Sequence, residues 1–262
     1  MDTPSTTTPL PPPDRSEAYA ATFRFYEELN DFLPEEKRKR DVVYTFSGKP
    51  SIKDAIEAQG IPHTEVDLIT ANGVSVGFDY SLKNGDRIAV YPMFEGLDIS
   101  PIVKLREKPL REPKFVLDVH LGKLARLMRL LGLDTLYRND YDDAHIASIS
   151  ATQRRAVLTR DRMLLHYRVI THGYWLRSMK AEEQLSEVIR RFDLRGNLSP
   201  YSRCLACNGQ LEPVAKDKIL GRLEPKTSLY YDTFFRCREC GKIYWKGSHF
   251  DTLRKTVKKF GS

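Results

Sequence analysis

No apolar run in this chain approaches the roughly 18 residues that a membrane span needs. The first fifteen residues lack a basic stretch leading into an apolar block, so they do not read as a secretory signal. Four cysteines are too few for a disulfide scaffold. The chain lacks neither apolar nor charged residues, at 41% and 29%, which excludes wholesale disorder. Its 262 residues suffice for one large domain or two to three small ones.

Acidic residues are scarce toward the end. Residues 1–100 carry 10 Lys/Arg and 17 Asp/Glu, a net of −7. The rest carries 42 − 10 = 32 basic and 35 − 17 = 18 acidic residues, a net of +14. An acidic front joined to a basic back implies at least two domains, with the back facing either a polyanion or only solvent.

Residues 1–17, rich in Thr and Pro, read as a disordered tail. The domain at 18–96 is expected to hold strands at Ala20 to Tyr26, Val42 to Phe46, Val66 to Ile69 and Arg87 to Tyr91. A short helix over 51–59 is capped by Ser51 and ended by Gly60, Asn72-Gly73 makes a turn, and the charged run Glu35 to Arg40 makes a solvated hairpin loop. This is the layout of a β-grasp, or ubiquitin-like, domain. The runs Ile61-Pro62-His63-Thr64-Glu65-Val66 and Asn84 to Pro92 resemble small sulfur carriers of the ThiS/MoaD type. Those carriers act through a free C-terminal Gly-Gly. Here Phe94-Glu95-Gly96-Leu97 runs on into further chain, so a positioning or binding module, with a protein partner, is the expectation.

Residues 97–113, with Pro101, Pro109 and Pro113, read as a linker. Short apolar strands then alternate with helices: Phe115 to Leu117, a helix over 121–131, Thr135 to Tyr137, a helix opening near Asp142, Ala156 to Leu158, a helix from Arg162, Val169 to Tyr174, and a helix over 181–192. That order implies an α/β domain over 114–198, a parallel sheet flanked by helices. Ligands of such sheets gather at the C-terminal strand edge. Asp118 and Asp161 each follow a strand, and Asp142 and Asp143 open a helix beside them. Clustered carboxylates repel one another unless a cation neutralises them, and their hard oxygens suit Mg²⁺ or Mn²⁺. Taken singly, Asp142 or Asp143, and Asp161, read more readily as helix caps; their joint placement in a basic domain favours the metal site. The basic surround of Lys123, Arg126 and Arg129 at helical spacing, with Arg160 and Arg162 beside Asp161, suits a phosphodiester backbone. His120 is a phosphate contact, a proton shuttle or a polar residue at a helix entrance. The patch Thr171-His172-Gly173-Tyr174-Trp175 offers base stacking or core packing, as do Tyr230, Tyr231, Phe234 and Phe235.

The stretch Asp118 to Tyr137, then Asn139-Asp140-Tyr141-Asp142-Asp143, then Leu158-Thr159-Arg160-Asp161-Arg162, resembles in order the blocks of the RNase domain named after the C-terminus of the Mut-seven exonuclease. The resemblance covers about residues 20–255 and implies a PIN-like nuclease fold, a closing zinc ribbon, and Asp118, Asp142, Asp143 and Asp161 as catalytic metal ligands. It also implies RNA, with tRNA among the substrates. Where family members often carry a glutamate after the paired aspartates, this chain has Ala144-His145.

Cys204-x-x-Cys207 and Cys237-x-x-Cys240, with 29 residues between the pairs, give two tight turns of two thiolates each. Disulfide pairing is the alternative, but the even CxxC pairing and the lack of a signal favour a tetrahedral Zn²⁺ shell, closed and hence structural, within a ribbon and basic tail over 199–262. The sequence reading is a cytoplasmic, metal-dependent ribonuclease using Mg²⁺ or Mn²⁺. The alternative is a non-catalytic RNA-binding protein that keeps the fold.

Overall fold

The computed structural model of the chain describes residues 18–92, 113–248 and 250–260. The expected tail and almost all of the expected linker lie outside them.

The first domain pairs β1 (Tyr19–Phe25) with β2 (Asp41–Phe46) antiparallel, and continues through α1 (Ile52–Glu57), β3 (Val66–Ala71), β4 (Val74–Ser75) and β5 (Arg87–Pro92). The sheet order β2-β1-β5-β3-β4, with β1 and β5 parallel at its centre, is a β-grasp. Alternation sets the register: Ala21, Phe23 and Phe25 of β1 and Ile88 and Val90 of β5 point to one face, where α1 adds Ile52, Ala55 and Ile56. Helix α1 starts as expected. The Ser51 hydroxyl accepts from the Asp54 amide and donates to the Asp54 carboxylate, a reciprocal cap. The charged run Glu35 to Arg40 is exposed in the β1–β2 connection. That connection is longer than a simple hairpin loop, because two 3₁₀ turns, Glu27–Phe32 and Glu35–Lys37, occupy it.

The second domain alternates as anticipated: β6 (Phe115–Leu117), α2 (Gly122–Leu130), β7 (Thr135–Leu136), α3 (Asp143–Gln153), β8 (Ala156–Thr159), β9 (Gly173–Trp175) and α4 (Ala181–Arg191). All neighbours in the order β7-β6-β8-β9 are parallel. Every residue of β6 and β8 is buried, because helices cover both faces. Phe115, Leu117 and Leu158 pack with Leu124 and Met128 of α2 and Leu185 and Val188 of α4, while Val116 and Val157 pack with Ile146 and Ala147 of α3. Two expectations need correction. The helix from Arg162 is only a 3₁₀ turn, Leu164–His166, because Tyr167 leaves the helical region at once. The fourth strand begins at Gly173 rather than Val169, which is exposed.

The last unit is a three-stranded antiparallel ribbon, β10 (Leu211–Val214), β11 (Phe234–Cys237) and β12 (Ile243–Trp245). Helix α5 (Pro225–Tyr230) lies in the long stretch between the cysteine pairs, and α6 (Phe250–Phe260) follows the ribbon, with Phe260 reaching the core of the second domain. Among the described residues no helix is long and apolar enough to cross a membrane.

The first domain is docked on the second through specific contacts. Glu65, fully buried, accepts the Trp175 amide, His63 Nε2 donates to the Ile170 carbonyl at 2.8 Å, and Arg177 pairs with Asp31 at 3.3 Å. The Phe32 and Trp175 rings meet at 5.2 Å between centroids.

Candidate functional site

The parallel sheet ends in a row of acids. Asp118 leaves β6 with its amide bonded to the Leu158 carbonyl, so the neighbouring strand fixes its direction. Its carboxylate is buried and accepts the Thr159 hydroxyl at 2.8 Å. The same hydroxyl oxygen accepts the Asp161 amide at 2.8 Å. Thr159 thus links the two aspartates. Its hydroxyl was the link that sequence reading missed, although its place at the end of a buried strand was visible. Asp161 is exposed and accepts the Met163 amide at 2.8 Å.

Asp143 opens α3 opposite them. Partial burial first, then the charges of Asp161, Asp118 and Asp142, push its carboxyl above the usual range. Burial is the larger cause and repulsion adds to it, but the carboxylate oxygens do not gather as closely as the cysteine sulfurs do. Asp142 behaves differently: it is the N-cap of α3. The His145 amide and ring both bond its Oδ1, each at 2.8 Å, and hold its carboxyl below the usual range. The helix-cap reading therefore describes Asp142. Asp161 also caps its local turn through the Met163 amide.

The basic residues divide. Lys123, Arg126 and Arg160 are exposed, as is His120 in the 3₁₀ turn Val119–Leu121. His172 is half-buried, its Nδ1 2.9 Å from the Thr171 hydroxyl. Arg129 is a correction: it is buried rather than phosphate-facing. It donates to the carbonyls of Thr135, Tyr137, Leu205 and Ala206, tying α2 and β7 to the first cysteine turn. Arg162 is a second correction. Its guanidinium lies 3.9 Å from the Trp175 ring centre and 5.1 Å from that of Phe32, and donates to the Asp31 carbonyl. Tyr174 is buried and Trp175 is held between the domains, so neither is a free stacking platform. Phe234 is core, whereas Tyr230 is 72% exposed.

The four cysteines converge. All four sulfurs lie within 4.8 Å of one another, with Cys204–Cys240 at 3.6 Å and Cys207–Cys237 at 3.4 Å. Four sulfurs at about 2.3 Å from a tetrahedral zinc stand about 3.8 Å apart, so the set fits such an ion with small adjustment. Among the described residues it is the one group of three or more His, Cys, Asp or Glu so gathered. Gly209 follows the first pair because a Cβ there would lie 2.8 Å from the Cys237 sulfur. Tyr244 holds its hydroxyl 3.1 Å from the Cys204 sulfur.

The chain thus joins a β-grasp domain, a parallel sheet flanked by helices with acids at its C-terminal edge, and a four-cysteine ribbon able to hold a structural metal such as zinc. The family model for the Mut7-C RNase domain matches residues 113–257, and that for the Mut7-C ubiquitin domain matches residues 18–98. The chain belongs to the Mut7-C RNase domain family, which implies a nuclease or other RNA-related role. A search of curated proteins found no match.

Proposed function

We propose that the protein is a divalent-metal-dependent ribonuclease whose centre is formed by Asp118, Asp143 and Asp161, with Asp142 contributing charge from the helix start. The carrying observation is that Asp118 and Asp161 follow the adjacent parallel strands β6 and β8 and are linked through the Thr159 hydroxyl, with Asp143 close enough that their charges add to partial burial in raising its carboxyl. Oxygen donors of this kind fit Mg²⁺ or Mn²⁺, which when bound would lower the pKa of water and offset charge on a phosphoryl group. Thr159 holds Asp118 and the Asp161 backbone in place. Lys123, Arg126 and Arg160 would hold phosphates, with His120 beside them at the start of α2. Structured RNA such as tRNA is the proposed substrate. A reducing, cytoplasmic compartment belongs to the same proposal, as does a protein partner for the β-grasp domain, supported by exposed Val43 on its edge strand β2.

One observation favours a non-catalytic RNA-binding protein instead: the His145 amide and ring both occupy Asp142 Oδ1. The two readings separate on a panel of transfer, ribosomal and single-stranded RNAs with Mg²⁺ or Mn²⁺. Parent protein should cleave. Asp118→Asn and Asp161→Asn should lose at least the roughly 10–100-fold that removing an outer partner of a metal site costs, while RNA binding survives. No cleavage by the parent on any substrate, with RNA still bound, would leave the binding reading. Undiminished cleavage by both variants would place the activity elsewhere.

A further inference from the structure

An aromatic surface lies where the ribbon meets α2, away from the acidic edge. A cavity of about 710 Å³ opens there between α2, the first cysteine turn, β12 and α6. Arg126, Tyr231, Lys242, Tyr244, Trp245 and Phe250 line it, and no lining residue is acidic. Trp245 is 39% exposed, unusual for so large an apolar ring. Gly247 lets the backbone pass close to the indole edge, where a Cβ would lie 2.8 Å from Trp245 Nε1. Beneath, Tyr244 bonds to Cys204, so the wall rests on the cysteine cluster.

Flat rings beside uncompensated cations are the chemistry of unpaired nucleotides: a base stacks on the ring and its phosphate meets the cation. An acidic peptide would use the cations but has little to place on the rings. Position supports the same ligand. Lys123 and Arg126 are both exposed one turn apart on α2, hence on one helix face. Arg126 stands eight positions after Asp118, across the 3₁₀ turn Val119–Leu121 and the start of α2, roughly 12 Å or a little more at helical rise, a span that a few nucleotides cover.

We propose that this cavity is a stacking subsite for unpaired nucleotides of single-stranded RNA, whose phosphates run along Arg126 and Lys123 toward Asp118. The direction of the strand rests on the ribonuclease reading; the subsite itself does not.

The chain has two tryptophans, Trp175 and Trp245. In the Trp175→Phe background of the full chain, Trp245 is the sole indole emitter. Titration with a ten-nucleotide uridine RNA, without divalent metal, should quench that emission saturably and less steeply as salt rises. Trp245→Ala should weaken binding of the same RNA about tenfold, and Arg126→Ala should weaken it by a smaller factor. Saturable RNA binding without quenching, or full affinity in Trp245→Ala, would overturn the subsite. Equal quenching by poly-glutamate would overturn it in favour of a surface for acidic proteins. Quenching by RNA in a protein that cleaves nothing would sustain the subsite and sink the nuclease reading, so the two failures are distinct.

Discussion

Asp134 has no part in the acidic edge, yet it organises the join between sheet and ribbon. Its carboxylate accepts Arg155 at 2.6 Å, Asn208 at 2.8 Å and Arg203 at 3.2 Å. Asn208 in turn accepts the Thr135 amide of β7. Burial alone would raise the Asp134 carboxyl. Hydrogen bonds from Arg155 and Asn208, with the charges of Arg155 and Arg203, outweigh burial and hold it below the usual range. The unfolded chain therefore takes up the proton first. The stability this contributes is complete above the unfolded value of about 3.9 and is lost as pH falls through the lower folded value. Asp134→Asn should lower the melting temperature at pH 7 and flatten the acid limb of the stability curve. An acid limb unchanged in slope would mean that other carboxylates set it.

At the scale of elements, the β-grasp domain braces the loop that carries Asp161. The Trp175 indole donates to the Arg160 carbonyl at 3.1 Å, and the first domain's Phe32 and Asp31 hold Arg162. Both neighbours of Asp161 are thus fixed, one of them by a separate domain. Phe32→Ala should destabilise the docked state by about 3 kcal/mol or more, the cost of emptying a buried phenyl site. Hydrogen exchange at residues 160–163 should speed up, and Mn²⁺ affinity should fall. Phe32→Tyr, which keeps the ring, should restore both. If exchange in that loop is the same in Phe32→Ala and parent, the bracing account fails.

For the whole molecule, the cysteine cluster and the charge asymmetry act together. Purified protein should contain about one zinc per chain by elemental analysis, expected of a closed four-thiolate shell. Cys204→Ser should release it. Damage should spread beyond the ribbon, because Arg129 and Asn208 bind the cysteine turn to α2 and β7. Chelation that leaves exchange in α2 and β7 untouched would contradict this. RNA affinity should fall with salt, the log–log slope changing by about 0.7 per single-strand phosphate contact. Removing exposed Arg126 should reduce that slope by about one contact, whereas buried Arg129 should affect folding instead.

Periodicity, turn residues and cysteine spacing were local signals, and local backbone preference follows them: Ser51 caps α1, β6 and β8 are buried throughout, and the cysteine pairs close on one another. The positions of Asp118 and Asp161 after buried strands were legible for the same reason. Which charges stay free was not, because desolvation and partner choice depend on segments far apart in the chain. Helical spacing put Arg129 with Lys123 and Arg126, but only packing shows that carbonyls of the cysteine turn claim its guanidinium. Arg162 beside Asp161 reads as a phosphate contact until the β-grasp domain, some 130 residues earlier, covers it with Phe32. The sequence by itself determined most of the elements, though not the 3₁₀ turn after Arg162 or the start of β9, and the chemistry they carry. The tertiary structure alone decided which cations face solvent and which hold the domains together, since a charge is buried only where distant groups supply its hydrogen bonds.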